Sequence, residues 1–399
     1  MVRRFWHRMT TDQAPSAESL VAELKQGGSL RDARLEQAFL RVPREAFLPG
    51  LPLDQVYADR AIPIKRDPDG SVVSSSSQPG MMALMIEQLR LAPGLNVLEI
   101  GAGTGYNAAI MQEMVGKTGR VTTIEYDPVI AGQAQDNLQR AAMSMVTVVQ
   151  GDGAVGFAPR AAYDRIIATV GVWDIPNAWA RQLKPRGIIV APIWLEGWQY
   201  SAAFQAQPDG SLFSERNLPC GFVRLRGALA GPQVEMRVGT GALVIYTGGS
   251  VQFDTQSIAM LSEDISEGYL GLRLEAREWT QGVIPFLLLT LPTPFIAGSY
   301  YIAEGQQPYG LEDGGVVILS RGSVCFIPTH DTGRALVFGG ADALLAAQDV
   351  VSAWERAGKP TLERLRLRLT PRDEVKPTPQ GTPGRVFERG DHYLEAWMV

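Results

Sequence analysis

The sequence predicts an α/β protein: a mainly parallel, doubly covered sheet behind an N-terminal helical cap, followed by a second, C-terminal α+β domain. Three observations carry this expectation. Short β-branched strands alternate with helical stretches between Asn96 and Ile193, the rhythm of parallel strands joined by crossover helices. The first of these strands runs straight into a glycine-rich turn and a helix. From about Gly231 the rhythm changes to short strands separated by Gly and Asp turns. The expected division is therefore 1–230 and 231–399.

Taken in order, Ser16 to Leu48 reads as helical, opening on a Ser-x-x-Ser-Leu cap and interrupted by glycines. "VVSSSSQP" precedes a helix from about Gly80 to Leu91, on which Met81, Leu84, Met85 and Leu89 fall at helical spacing. "NVLEI" is a buried strand, the glycine turn follows, and Tyr106 to Val115 is a helix. "RVTTIEY" is the next strand, and Pro128 opens the helix after it. "VTVVQGD", "YDRIIATV" and "GIIVAPI" complete the strand set. In the second part, "EMRVG", "ALVIYTG", "GVVILS", "VCFIPT" and "ALVFG" read as strands. A helix from about Asp342 turns Leu344, Ala347, Val351 and Trp354 inward and stops at Gly358. "LERLRLRL" alternates as a strand does, and "KPTPQGTPG" is a loop before a last strand, "HYLEAWMV".

Composition narrows the function classes. The 399 residues are 45% hydrophobic and 20% charged, with net charge −5 and pI near 5.5. That is an ordinary globular balance without a global basic field for nucleic acid. Cys220 and Cys325 lie far apart, with no CxxC or histidine cluster, so neither a metal site nor a disulfide framework is expected. Arg3-Arg4 is followed by no apolar h-region, so no signal peptide is expected. The most apolar segment, Val283 to Gly298, is broken by three prolines and cannot cross a bilayer as one helix. A cytoplasmic location without membrane association is the expectation; the oligomeric state is left open.

The glycine turn points to a ligand. Gly101, Gly103 and Gly105 follow Glu99 at E-x-G-x-G-x-G spacing, where positive φ and the missing Cβ let a ligand approach the backbone. Tyr106 stands where a dinucleotide fingerprint has its third glycine, so the spacing suits a ligand without a pyrophosphate. Glu125 ends the next strand, where a carboxylate accepts both ribose hydroxyls, although a solvated strand end is the alternative for this residue alone. Asp152, in Gly151-Asp152-Gly153, follows the third strand and can accept from an adenine amino group. Three acceptors at successive strand ends describe a nucleoside crevice.

This set resembles the class I S-adenosylmethionine-dependent methyltransferases, and more narrowly the protein-L-isoaspartate O-methyltransferase family. The resemblance runs from about Leu35 to Gly227 through "VPREAFLP", "VYADRAIPI", "SSSSQP", "VLEIGAGTGYNAAIM", "VQGDGAVGF" and "GFVRLRG", in matching order. It implies a Rossmann-like sheet and S-adenosylmethionine as cofactor, leaving as S-adenosylhomocysteine. The cofactor residues it implies are Glu99, Gly101, Gly103, Gly105, Tyr106, Glu125, Asp152 and Gly153. The family's T-I-S segment aligns its serine with Ser77 and its threonine with Ser75, the residues implied at the reacting groups. Ser76 and Gln78 are implied beside the acceptor.

Two departures from the family pattern stand out. "KRDPDGSVVS" lengthens the approach to the serines, with a turn signal at Asp67-Pro68-Asp69-Gly70, and the chain continues past Gly231. Extended versions resemble methyltransferases that esterify one aspartate of a ribosomally made peptide, producing an aspartimide. That is the expected activity here, with isoaspartyl repair as the alternative and RNA methylation a more distant one. His7, His330 and His392 all lie outside the motifs, and a carboxylate acceptor, already ionised at neutral pH, needs no base. Arg364, Arg366 and Arg368 share one strand face, either solvated or receiving an acidic peptide. Trp173 either walls the acceptor pocket or packs.

Overall fold

The computed structural model describes residues 15–399 apart from 69, 240, 249–259, 263–264, 304, 312–313 and 331–332. His7 and Asp69 therefore lie outside the described residues. The N-terminal cap consists of α1 (Ala17–Gln26), α2 (Ala33–Arg41) and the short α3 (Leu53–Val56). Ser16 and Ser19 form a reciprocal capping box at the start of α1, as the Ser-x-x-Ser spacing predicts. A hairpin of β1 (Ile62–Arg66) and β2 (Val72–Ser76) leads into α4 (Pro79–Leu89).

The main sheet begins with β3 (Asn96–Ile100), followed by α5 (Tyr106–Val115), β4 (Arg120–Glu125), α6 (Pro128–Arg140) and β5 (Thr147–Gln150). Next come β6 (Tyr163–Ala168), α7 (Asn177–Gln182) and β7 (Leu183–Leu195). Pairing is parallel in the order β7-β6-β3-β4-β5. The chain thus proceeds to one side of β3 through β4 and β5, then to the other through β6 and β7. That reversal makes the carboxyl end of β3, next to β6, the topological switch point where open α/β sheets bind ligands.

Side-chain alternation covers both faces. Val97, Ile167 and Val190 pack with α1, α2, α4 and α5. Leu98, Ile166 and Ile189, one residue away in each strand, face the opposite core. On α4 Met82, Met85, Ile86 and Leu89 are among the buried residues, as is Gln88, while Met81 and Leu84 are only partly covered. The expected face is rotated because the helix is apolar nearly all round.

The strands after β7 both extend the main sheet and build a second one. After β7 the sheet continues antiparallel through β8 (Trp198–Ala206), β9 (Leu212–Ser214) and β10 (Asn217–Cys220). A second, seven-stranded antiparallel sheet contains β11 (Glu235–Val238), β12 (Leu243–Thr247), β13 (Ile265–Tyr269) and β14 (Ile296–Ile302). It is completed by β15 (Gly315–Leu319), β16 (Ser323–Pro328) and β17 (Arg334–Gly339). The chain then returns: β18 (Leu365–Pro371) pairs with β9, followed by β20 (His392–Met398) and β19 (Gly384–Glu388). This pairing satisfies a backbone edge that β9 would otherwise expose. The core is shared as well: Leu98, Ile166 and Ile189 belong to the same cluster as Trp279, Phe286, Val351 and Trp354. The apolar Val283–Gly298 segment is thus a helix, Ile284–Thr290, and the start of β14, buried against the sheet. Among the described residues no helix is long and apolar enough to cross a membrane.

Candidate active site

A cleft opens at the switch point. Its floor is the turn after β3. Gly101, Gly103 and Gly105 have φ of +97°, +53° and +87°, a conformation that side chains rarely tolerate. At Gly101 a Cβ would also lie 2.8 Å from Thr169 Oγ1 and 3.1 Å from Val170 Cγ1, on the loop after β6. Gly101 and Gly103 line the cleft, whereas Gly105 faces Leu138 and Ala134 of α6 and closes the turn onto α5. Gly105 packs against α6, next to the lining residues Thr104 and Tyr106. Tyr106 is buried and lines the cleft, with Phe39 and Phe47 against its ring.

Glu125 sits opposite the turn and is almost fully buried. Its Oε2 accepts from the Gly103 N–H at 3.1 Å and its Oε1 from the Asp127 N–H at 3.1 Å. A carboxylate has about four lone-pair positions, so two remain for ligand hydroxyls. Arg226, with its guanidinium over the Tyr126 ring, lies 3.9 Å from Glu125 Oε1 at the mouth. Gly153 lines the cleft, and a Cβ there would strike Ile100 Cγ2 at 2.4 Å.

Two expected cofactor contacts are placed elsewhere. Glu99 is fully buried beneath the turn, outside the lining, with its Oε1 accepting from Asn107 Nδ2 at 2.7 Å. Burial pushes its carboxyl up to about 7, and the Glu125 charge adds to the rise. Asp152 also lies outside the lining. Its Oδ1 accepts from Ala154 N–H at 2.9 Å and its Oδ2 from Ala228 N–H at 3.0 Å, tying the loop after β5 to residues 227–228.

The serine run forms the opposite wall. Ser75, Ser76 and Ser77 line the cleft together with Ser74. As β2 alternates, Ser74 and Ser76 turn inward and Ser75 stays more open. The hairpin is held over the cleft by an ion pair from Lys65 of β1 to Asp127, the N-cap of α6. Lys65 holds the Asp127 carboxyl below its ordinary value. The lengthened segment is therefore the hairpin's own turn, where Asp67 N–H donates to Ser71 O at 2.9 Å. Gln78, expected beside the acceptor, instead donates from Nε2 to Asp59 at 3.0 Å and lies outside the lining.

The structure does not bring the remaining expected residues to the cleft. Trp173 packs: the Arg389 guanidinium stands 3.6 Å from its ring centroid, and a Cβ on Gly231 would lie 2.5 Å from the Trp173 Cβ. Next to it, Asp174 accepts from Asp391 N–H at 2.6 Å and His392 N–H at 3.1 Å and pairs with His392 Nδ1 at 3.0 Å. Arg364, Arg366 and Arg368 lie on or beside β18, five strand positions from β3, roughly 24 Å at the usual strand spacing. Arg366 donates to Glu363 O at 2.7 Å and Arg368 covers the Phe213 ring. Sequence reasoning missed Thr169, Val170, Arg224 and Arg226, which line the cleft from loops with no local signature beyond "FVRLRG".

A glycine turn, an acidic strand end and a serine wall meeting at the switch point of such a sheet define a Rossmann-like class I methyltransferase. The profile of the family described as Protein-L-isoaspartate(D-aspartate) O-methyltransferase (PCMT) matches residues 15–230. The chain belongs to this family of S-adenosylmethionine-dependent carboxyl O-methyltransferases. It is 40% identical over 211 residues to the protein-L-isoaspartate O-methyltransferase of Methanopyrus kandleri, covering 53% of this chain and 91% of that one. The Hyperthermus butylicus protein of the same name is 41% identical over 216 residues, covering 52% and 87%. A solved protein-L-isoaspartate O-methyltransferase superposes with TM-score 0.51 at 28% identity, over 88% of this chain and 96% of that one. Residues 1–230, little over half the chain, cannot supply that coverage alone, so the likeness extends past Gly231.

Proposed function

We propose that the protein transfers the methyl group of S-adenosylmethionine to the free carboxylate of an isoaspartyl residue in a protein or peptide. The observation that carries this reading is the pairing, in one cleft, of a glycine turn and Glu125, which the cofactor hydroxyls would occupy, with the serine wall. Among the described lining residues there is no histidine, lysine or cysteine, and His392 is held by Asp174. A carboxylate acceptor is already ionised and needs no base. The residues present fit the cofactor: Gly101 and Gly103 leave the cleft floor without side chains, and Glu125 keeps two acceptor positions unused. When bound, the cofactor supplies a methyl group on a positively charged sulfur. The chain's part is placement: Ser75 and Ser77 hydroxyls hold one carboxylate oxygen and leave the other free for in-line attack. Such orientation lowers a barrier by roughly 7–11 kcal/mol.

The isoaspartyl acceptor is favoured over a dedicated peptide aspartate because the part beyond Gly231, which suggested a specialised role, has a counterpart in a solved protein-L-isoaspartate O-methyltransferase. The lengthened β1–β2 hairpin beside the serines remains the one observation favouring the second reading. Incubation with methyl-labelled cofactor and matched isoaspartyl and aspartyl peptides, with tRNA as a third arm, separates them. Base-labile label on the isoaspartyl peptide is expected. Label on the aspartyl peptide alone would select the second reading, and label on tRNA would refute both.

A further inference from the structure

The chain buries a cation that the cofactor cleft does not account for. Arg44 lies in the short turn Arg44–Phe47 after α2 and is 0% exposed. Its Nη2 donates to the Ser77 carbonyl at 3.2 Å, while Nε and Nη1 have no hydrogen-bond partner. Its guanidinium stands 5.4 Å from the ring centroid of Tyr106, which lines the cleft. Asp59, the carboxylate that acts on it electrostatically, is committed elsewhere: Oδ1 accepts from Gly80 N–H at 2.7 Å and Oδ2 from Gln78 Nε2 at 3.0 Å. Burial pulls the Arg44 pKa down from its ordinary value. A buried guanidinium with one hydrogen bond is unfavourable unless an anion comes near it. The adjoining Ser76 hydroxyl, 3% exposed and on the cleft wall, is likewise without a partner. Two buried polar side chains with unmet hydrogen-bonding capacity thus sit at the end of the serine strand, one on it and one bonded to its next residue.

We propose that Arg44 is a positioning residue of the acceptor site: its buried guanidinium fixes the Ser76–Ser77 end of the strand and supplies the positive charge against which the acceptor carboxylate is held. This rests on the carboxyl-methylation reading above. The cofactor half of the cleft, built by Gly101, Gly103 and Glu125, lies outside Arg44's hydrogen bonding. Acceptor turnover and cofactor affinity therefore respond differently to its removal.

The test compares Arg44→Met, which keeps length but not charge, with Arg44→Lys, which keeps charge but not the planar fork, and with Arg44→Ala given guanidinium chloride. Each is assayed for S-adenosylhomocysteine affinity by calorimetry, thermal midpoint, and kcat and KM on the isoaspartyl peptide. In Arg44→Met, kcat/KM for the peptide is expected to fall about a hundredfold, as when a preorganised donor is removed, with cofactor affinity changed by no more than about threefold. Arg44→Lys should lie between, and guanidinium should raise the activity of Arg44→Ala without affecting the unsubstituted enzyme. A folded Arg44→Met that binds cofactor and turns over normally overturns the assignment. So does failure of all three variants to fold, which would make Arg44 a structural cation only. If the unsubstituted protein binds cofactor but methylates no carboxylate, the functional reading fails and this proposal falls with it.

Discussion

Glu99 offers a quantitative check on how the cofactor turn is supported. It is fully buried, and its Oε1 accepts from Asn107. Thr123 stands opposite it in the β3–β4 register, with its hydroxyl acting on the carboxyl. Glu99→Gln keeps the acceptor for Asn107 and offers an amide donor towards Thr123, removing only the ionisation. Burial raises the Glu99 carboxyl from 4.5 to about 7 in the folded protein. Below pH 4.5 both folded and unfolded chains carry the proton, and the group's contribution to stability is fully present. As the pH rises the unfolded chain releases its proton first, and stability is lost progressively until the folded carboxyl ionises near 7. At 1.36 kcal/mol per pH unit, the wild-type protein should lose roughly 3 kcal/mol relative to Glu99→Gln over that interval. Urea denaturation of both proteins at a series of pH values from 4 to about 8 measures the difference directly. The gap should widen with rising pH and level off above about 7, with little change in S-adenosylhomocysteine affinity, because Glu99 lies outside the cleft lining. A pH-independent gap would refute the burial argument, and a large loss of cofactor affinity would return Glu99 to the binding site.

Other outcomes follow from the same geometry. Glu125→Ala should weaken cofactor binding by removing two charge-assisted hydrogen bonds of about 1.5–3 kcal/mol each; calorimetry showing affinity within a factor of about two would remove Glu125 from the site. Gly101→Ala combines a positive φ with contacts at 2.8 and 3.1 Å from the loop after β6, so it should abolish measurable cofactor binding in an otherwise folded protein. Truncation after residue 230 should yield aggregated protein, since it bares β9 and half of a shared core; a soluble, cooperatively melting fragment would contradict that packing. Charge reversal at Arg366 or Arg368 should leave peptide KM unchanged at all salt concentrations, as both are engaged locally and far from the cleft. A salt-dependent rise in KM would restore the basic-stripe reading.

Much of the site is written locally. β3, the glycine turn and α5 follow one another within twenty residues, Asn96–Val115, and each is decided by nearby residues: a β-branched run, glycines at positive φ, a helical period. Glu125 and Gly153 were legible for the same reason, as strand ends in a repeating β-α rhythm. The second group of features depends on partners distant in sequence. The serines are poor strand formers, yet they become β2 because β1 pairs with them and Lys65 anchors the hairpin to Asp127. The mostly apolar α4 has its polar residues only at Glu87 and Gln88, near its end, so the packed neighbours select Met82 and Ile86 over Met81 and Leu84. "LERLRLRL" specifies a strand by its alternation but not its neighbour, and β18 joins β9 because that edge needed backbone partners. Arg44 and Trp173 show the same division. Their residue types were visible in the sequence, but whether each faced the cleft, a cation or the core was decided by tertiary packing, because burial and pairing are properties of segments brought together from across the chain.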